Sequence, residues 1–214
     1  MTQNTLDEGV IKFKFNLKKS SPIEEKQFLE LEKWRAILFK MNLIGEYPTE
    51  KIGYGNISRK IESAISGDIQ FIISGTQTGR FAHLNGLHYT KVTKCNLQKM
   101  SIEAMGPIAP SSESLTHFAI YQSCPQINFI FHVHSKHLWN YMLENNYPKT
   151  SKDINYGTLE MAHAAKDLIK NQQAGIFAME GHDEGIIAYG SSSEQAGKFI
   201  LDTLKNSRQS PLNK

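Results

Sequence analysis

The stretch Ile127-Asn128-Phe129-Ile130-Phe131-His132-Val133-His134 decides how the rest of the chain is read. It is a short apolar run, and Pro125 stops the preceding segment just before it, so it reads as a strand. Strand side chains alternate between faces, so Phe129, Phe131 and Val133 share one face and His132 and His134 the other. Two imidazoles on one strand face can converge on one cation, and three protein ligands with an open fourth position form the usual catalytic zinc site. A third ligand is then needed. His182, in Glu180-Gly181-His182-Asp183-Glu184-Gly185 between two β-like runs, competes with His83, His88, His117, His137 and His163. His137 and His163 lie in helical stretches and read as surface or packing residues. A loop position suits a site residue and gives His182 a modest edge.

Outward from this strand the chain alternates between both kinds of element. Ile11 to Leu17 alternates apolar and polar residues, and Lys12, Lys14, Lys18 and Lys19 read as the wet side of a strand. Ser21-Pro22-Ile23-Glu24 reads as a helix start with Ser21 as cap and Glu24 completing a capping box. Phe28, Leu31, Trp34, Leu38 and Met41 carry that helix to about Asn42. Strand-like runs follow at Tyr54 to Ile61, Gln70 to Ser74 and His88 to Cys95. Pro110-Ser111-Ser112-Glu113 opens a helix carrying Leu115, Phe118, Ala119 and Tyr121. Beyond His134 the pattern gives a helix around His137 to Leu143, a loop from Asn145 to Asn155, and a helix from Leu159 to Ile169. Strands at Ile176 to Met179 and Ile186 to Tyr189 follow. Ser192-Ser193-Glu194-Gln195 then caps a last helix to about Leu204, with a frayed tail from Asn206. Strands cluster in the middle without strict alternation with helices. This implies an α/β fold with a mixed or antiparallel sheet and helices on its faces, in one domain over residues 1–214, with residues 1–20 an N-terminal extension or edge strand.

Composition narrows the function. The formal net charge is +3, with Lys and Arg interspersed among Asp and Glu, so neither nucleic acid nor an anionic membrane surface is implied. Two cysteines, Cys95 and Cys124, make no disulfide framework and favour a reducing compartment. Met1 to Val10 is polar and acidic, unlike a secretory signal, and no apolar run approaches membrane-spanning length. A cytoplasmic protein is expected.

Three segments have the composition of anion-binding backbone. Gly53-Tyr54-Gly55-Asn56-Ile57-Ser58 combines glycines that permit close approach with Asn and Ser donors. Ser74-Gly75-Thr76 ends a strand. Ser111-Ser112 lies at a helix N-terminus, where free N–H groups and the dipole favour phosphate. Taken singly, each is more commonly a plain turn or cap. Glu113, next to Ser112, is either an ordinary first-turn Glu or a general base beside a metal.

In this order, Gly55-Asn56-x-Ser58, Ser74-Gly75, Pro110-Ser111-Ser112-Glu113, His132-x-His134, Gly157-Thr158 and the late His182 resemble the class II aldolase/adducin family, with its L-fuculose-phosphate aldolase-like members. The resemblance spans about Ile52 to Tyr189. It implies a three-layer α/β/α sandwich around a largely antiparallel mixed sheet, assembled as a homotetramer. It also implies Zn2+, or another divalent metal, on His132, His134 and His182, with Glu113 moving protons. A substrate phosphate would lie on Gly55, Asn56, Ser74, Gly75, Ser111 and Ser112. The implied activity is that of a metal-dependent lyase acting on a small phosphorylated sugar-like molecule through an enediolate, by aldol cleavage or a related reaction. A dehydratase or epimerase on the same scaffold, a metal-dependent hydrolase, and a non-catalytic adducin-like interaction module are the alternatives. Three departures stand out. Gly53 replaces a threonine common in aldolases, and Asp183 and Glu184 separate His182 from Gly185. The segment from His134 to Gly157 is also short, and neither Tyr147 nor Tyr156 aligns cleanly with the family's proton-donating tyrosine. The separated His182 implies either a bulged loop or a carboxylate in the metal shell.

Overall fold

The computed structural model describes residues 9–62 and 67–209. The N-terminal eight residues and the last five, on which part of the N-terminal and tail readings fall, lie outside the described residues.

The strand expected over Ile11 to Leu17 forms later, as β1 (Lys14–Lys18). Residues before it are held elsewhere: the Val10 amide donates to the Tyr156 hydroxyl at 3.0 Å, and Phe13 is buried in the core. α1 (Glu25–Lys40) follows, with Phe28, Leu31 and Leu38 buried at helical spacing. Ser21 does not cap it. The N-cap is Glu24, without a side-chain cap bond, because the Ile23 amide is spent on the Gly86 carbonyl at 3.0 Å and holds this stretch outside the helix. A small ribbon of β2 (Gly45–Glu46) and β3 (Gly53–Tyr54) leads into β4 (Asn56–Ile61), β5 (Gln70–Ser74), β6 (Tyr89–Asn96) and β7 (Ser101–Met105). The order continues with α2 (Ser114–Ser123), β8 (Phe129–His134), α3 (Lys136–Glu144), α4 (Leu159–Ile169), β9 (Gly175–Ala178), β10 (Gly185–Gly190) and α5 (Ser193–Gln209).

Among the described residues the main sheet has eight strands in the order β1-β7-β6-β5-β4-β8-β10-β9. Its neighbours are antiparallel except β1 and β7, so the sheet is mixed and largely antiparallel. α2 and α4 bury Leu115, Ala119, Met161 and Ala165 with Phe71, Ile73, Ile130 and Ile187 on one face. α1, α3 and α5 bury Leu31, Leu138 and Ile200 with Ile57, Ile72, Phe131, Val133 and Ile186 on the other. Strand neighbours thus divide between two cores, the result expected of a sheet covered on both sides. The architecture is the α/β/α sandwich.

Caps set several boundaries. Ser135, Thr158 and Ser192 accept amide hydrogens from Leu138, Met161 and Gln195 and so start α3, α4 and α5. The tail is not frayed at Asn206. α5 continues because Ser207, fully buried, meets His137 Nε2 at 3.0 Å.

Candidate metal and anion site

β8 places both of its histidines on the α2/α4 face. In register, His132 lies opposite Asn56 on β4 and Ile187 on β10, and His134 opposite Gly185. Gly55 permits this pairing. Its φ is +76°, and a Cβ there would stand 3.1 Å from the His132 carbonyl oxygen and 2.8 Å from Ile44 Cγ1.

His182 arrives from the turn joining β9 to β10. Its amide donates to Met179 O, and Gly185 N returns to His182 O, each at 2.9 Å. A side chain at Gly185 would stand 2.4 Å from His182 Cδ2, so only glycine lets this ring fold back over the strand. The three histidines, each at most 5% exposed, present ligand atoms within 4.8 Å of one another. The other histidines are engaged elsewhere. His83 is exposed near Glu32, His88 caps a short turn before β6, His117 meets Ser58 Oγ at 2.7 Å, His137 meets Ser207, and His163 faces outward on α4.

The hydrogen bonds indicate which ring atoms face inward. His132 Nδ1 lies 3.1 Å from the Ile186 carbonyl, which can only accept, so this nitrogen carries the hydrogen. His134 Nδ1 lies 3.0 Å from the Tyr47 hydroxyl, and that hydroxyl donates to Glu184 Oε2 at 3.1 Å, so this Nδ1 is also the donor. The two Nε2 lone pairs then face each other at 2.9 Å, and Glu113 Oε2 lies 3.2 Å from His132 Nε2. Glu113 Oε1 stands 3.9 Å from His182 Nε2. Acceptors converging on one point call for a cation between them, and the donor set suits a divalent metal. Burial also keeps the rings in the neutral form that ligation needs. It pushes His132 down to about 4, against the opposing pull of its bond to Ile186. His134 and His182 are held well below the ordinary histidine value by burial and then by their neighbours, His132 chief among them.

The three segments with the composition of anion-binding backbone meet at the same end of the sheet. Gly75 forms a β-bridge to Pro110, and Thr76 N donates to Ala109 O at 3.0 Å, tying the Ser74 turn to the Ser111-Ser112 segment. Ser74 Oγ accepts from Ile57 N at 3.2 Å, which joins the Gly55-Asn56 loop to the same group. Asn56, Ser74, Ser111 and Ser112 are each at most 6% exposed, and among the described residues Asn56 Oδ1 has no hydrogen-bond partner. Glu113, 1% exposed, is the N-cap residue of α2, so the helix N-terminus opens beside the histidines. Buried Arg35 on α1 steadies the loop beyond Ser74-Gly75: its guanidinium donates to the carbonyls of Thr78, Gly79, Phe81 and Ala82.

Some neighbours were not foreseen. Lys12 is not on the wet side of a strand; its ammonium lies 3.9 Å from the centroid of the Tyr156 ring. That ring is 4.6 Å from His182. The Tyr156 hydroxyl is bonded to Val10, and Tyr147 packs with the opposite core. The two residues inserted after His182 bulge the loop: Asp183 pairs with Lys136 at the surface, and Glu184 takes φ +66° and meets Tyr47. The insertion itself was the sequence signal for Glu184; Tyr47 and Lys12 carry none.

Residues 41–206 match the family described as Class II Aldolase and Adducin N-terminal domain. The chain belongs to the class II aldolase/adducin family. Its fold is similar to a sugar-phosphate aldolase from Thermotoga maritima, with TM-score 0.67 and 14% identity over 86% of this chain and 93% of that one. YgbL from Klebsiella pneumoniae, a putative aldolase/epimerase/decarboxylase, gives TM-score 0.64 and 19% identity over 88% and 89%. The L-fuculose-1-phosphate aldolase of Thermus thermophilus gives 0.59 and 17% over 87% and 92%. At these identities the likeness shows the fold. No curated protein matches the chain in sequence. Among the described residues no helix is long and apolar enough to cross a membrane.

Proposed function

We propose that this protein is an aldolase-like, metal-dependent lyase that acts on a small phosphorylated sugar-like substrate. The observation that carries the reading is the convergence of His132, His134 and His182 with Glu113 at one end of the sheet, where the Asn56, Ser74 and Ser111-Ser112 segments also meet. His132, His134 and His182 hold the metal, with zinc the first candidate. When bound, the ion supplies Lewis-acid charge that stabilises a substrate enediolate.

The chain's own residues do the rest. Asn56, Ser74, Gly75 and the Ser111-Ser112 backbone hold the phosphate against the α2 N-terminus, where exposed amides and the dipole favour an anion. Gly55 lets that loop approach. Fixing the phosphate fixes the carbonyl end of the substrate beside Glu113. The Glu113 carboxylate, buried and within reach of His132 and His182, takes the proton and returns it. C–C cleavage and proton removal both lead to an enediolate, so epimerase and dehydratase chemistry use the same residues. The protein is read as one cytoplasmic domain that assembles as a homotetramer and binds neither nucleic acid nor membrane.

The test starts with elemental analysis of the purified protein beside the His132→Ala/His134→Ala double variant. About one divalent ion per chain, absent from the variant, is the expected result. A screen of sugar phosphates for carbonyl release follows, with competitive inhibition by phosphoglycolate. No metal in wild type after incubation with zinc removes the enzyme reading in favour of an interaction module.

A further inference from the structure

Glu184 is a non-glycine residue at φ +66°, a left-handed conformation that a Cβ disfavours. It sits in the two-residue insertion after His182, and its carboxylate accepts from the Tyr47 hydroxyl at 3.1 Å. The same hydroxyl lies 3.0 Å from His134 Nδ1. The chain of bonds therefore runs from the His134 Nδ1–H to the Tyr47 oxygen and from the Tyr47 hydrogen to the Glu184 carboxylate. Each member is fixed independently. Tyr47 N donates to Ile52 O at 2.9 Å, and its ring packs 4.7 Å from that of Tyr54, which itself lies 5.5 Å from the His134 ring. Glu184 O accepts from Ser135 N at 3.1 Å, and Asp183 pairs with Lys136. The turn that carries His182 is thus tied to the residues directly after His134.

We infer that Tyr47 and Glu184 are positioning residues that hold the His134 ring in the tautomer and orientation that turn Nε2 toward His132 and His182. The inference rests on the reading of His134 as a metal ligand. Ligating histidines depend on such outer partners, and losing one typically costs 10- to 100-fold in metal affinity. Glu184 orders the tyrosine hydroxyl, and the hydroxyl orders the ring. The two act in series, so their effects do not multiply. The strained backbone at Glu184 is what brings a carboxylate to this point.

The test measures Zn2+ affinity of the full chain by competition with a chromophoric chelator, alongside the visible ligand-field spectrum of the Co2+-loaded protein. The variants are Tyr47→Phe, Glu184→Ala, Glu184→Gln, the Tyr47→Phe/Glu184→Ala pair, and His134→Ala. Tyr47→Phe and Glu184→Ala are each expected to bind Zn2+ about 10- to 100-fold more weakly. The pair should be no weaker than the worse single variant, and the Co2+ bands should shift. Glu184→Gln, which keeps an acceptor oxygen, should fall between wild type and Glu184→Ala and serves if either of the others folds poorly. Wild-type affinity in Tyr47→Phe and in both Glu184 variants, with His134→Ala still losing metal, overturns the positioning role and leaves the metal site standing. Fully multiplicative losses in the pair overturn the series arrangement. A wild-type protein that binds no metal, or a His134→Ala variant that binds as tightly as wild type, removes the metal reading and this inference with it.

Discussion

At the scale of single residues, the proposed reaction gives the proton to Glu113 and the metal to His134, so their variants should separate. Glu113→Gln keeps size and burial but cannot take a proton. It should retain about one metal per chain while turnover falls about 10²- to 10⁴-fold, the usual contribution of a positioned acid–base group. Full activity in that variant takes Glu113 out of the chemistry. His134→Ala removes one of three ligand atoms and leaves a folded chain, because Val133 and Ile186 still pack in the opposite core. Its metal content after dialysis should drop to near zero, and stoichiometric zinc there would show that the ligand assignment is wrong. How much of this was legible follows from what each residue does alone. His132 and His134 were readable because strand alternation puts them on one face whatever the rest of the chain does. His182 was one of six candidates, since a turn 48 residues beyond His134 is brought in by the pairing of β9 with β10. Tyr47 was invisible, as its part comes from a hydroxyl that touches two other segments.

At the scale of elements, local chemistry was the readable part. The β8 alternation and the Ser192 cap act within a few residues of their own position, and the structure has both, whereas the Ser21 cap is displaced by the bond from the Ile23 amide to Gly86. β7 was missed because Ser101-Ile102-Glu103-Ala104-Met105 has weak strand formers and is a strand by virtue of lying between β1 and β6. Arg35 lies one turn from both Leu31 and Leu38, on the face that α1 buries, and its guanidinium ends among loop carbonyls of Thr78, Gly79 and Phe81 that no sequence pattern announces. Gly197 is a similar case with a measurable consequence. A glycine inside α5 costs the helix about 1 kcal/mol relative to alanine, so propensity alone favours Gly197→Ala. A Cβ there would stand 2.1 Å from Trp34 Cζ3 on α1, and that ring also packs 6.0 Å from Phe131. Displacing a packed indole costs about 1–3 kcal/mol, which outweighs the propensity gain. Gly197→Ala should therefore lower the melting temperature by a few degrees. A rise would mean that Trp34 has room to move.

At the scale of the whole molecule, the sandwich buries basic groups that must stay neutral. Covering the β8 face with α2 and α4 shuts His117, His132, His134 and His182 away from water. Burial lowers all four, His132 to about 4 and the others in the same direction. Above about pH 7.5 these rings are neutral in both the folded and the unfolded chain, and their contribution does not change with pH. Below it the unfolded chain takes up protons that the folded chain refuses, so the free energy of unfolding falls as pH falls. For His132 the loss runs from about 6.5 to about 4 and totals roughly 3 kcal/mol. Ordinary carboxylates titrate mostly below pH 5, which leaves the interval between pH 6.5 and 5 to the histidines. Urea unfolding of the metal-free protein at pH 8.5, 7.5, 5.8 and 5.0 should show stability flat across the first two points. It should then drop by about 2 kcal/mol for each ring that stays neutral by pH 5. A bound divalent ion, which requires the same deprotonated nitrogens, should raise stability at pH 7.5 and keep most of that gain down to pH 5, because the folded rings stay neutral to about pH 4 and the metal-loaded and metal-free curves run nearly parallel over this interval. Stability unchanged between pH 7.5 and 5 in the metal-free chain would mean that water reaches these rings and that the cover formed by α2 and α4 opens at this end.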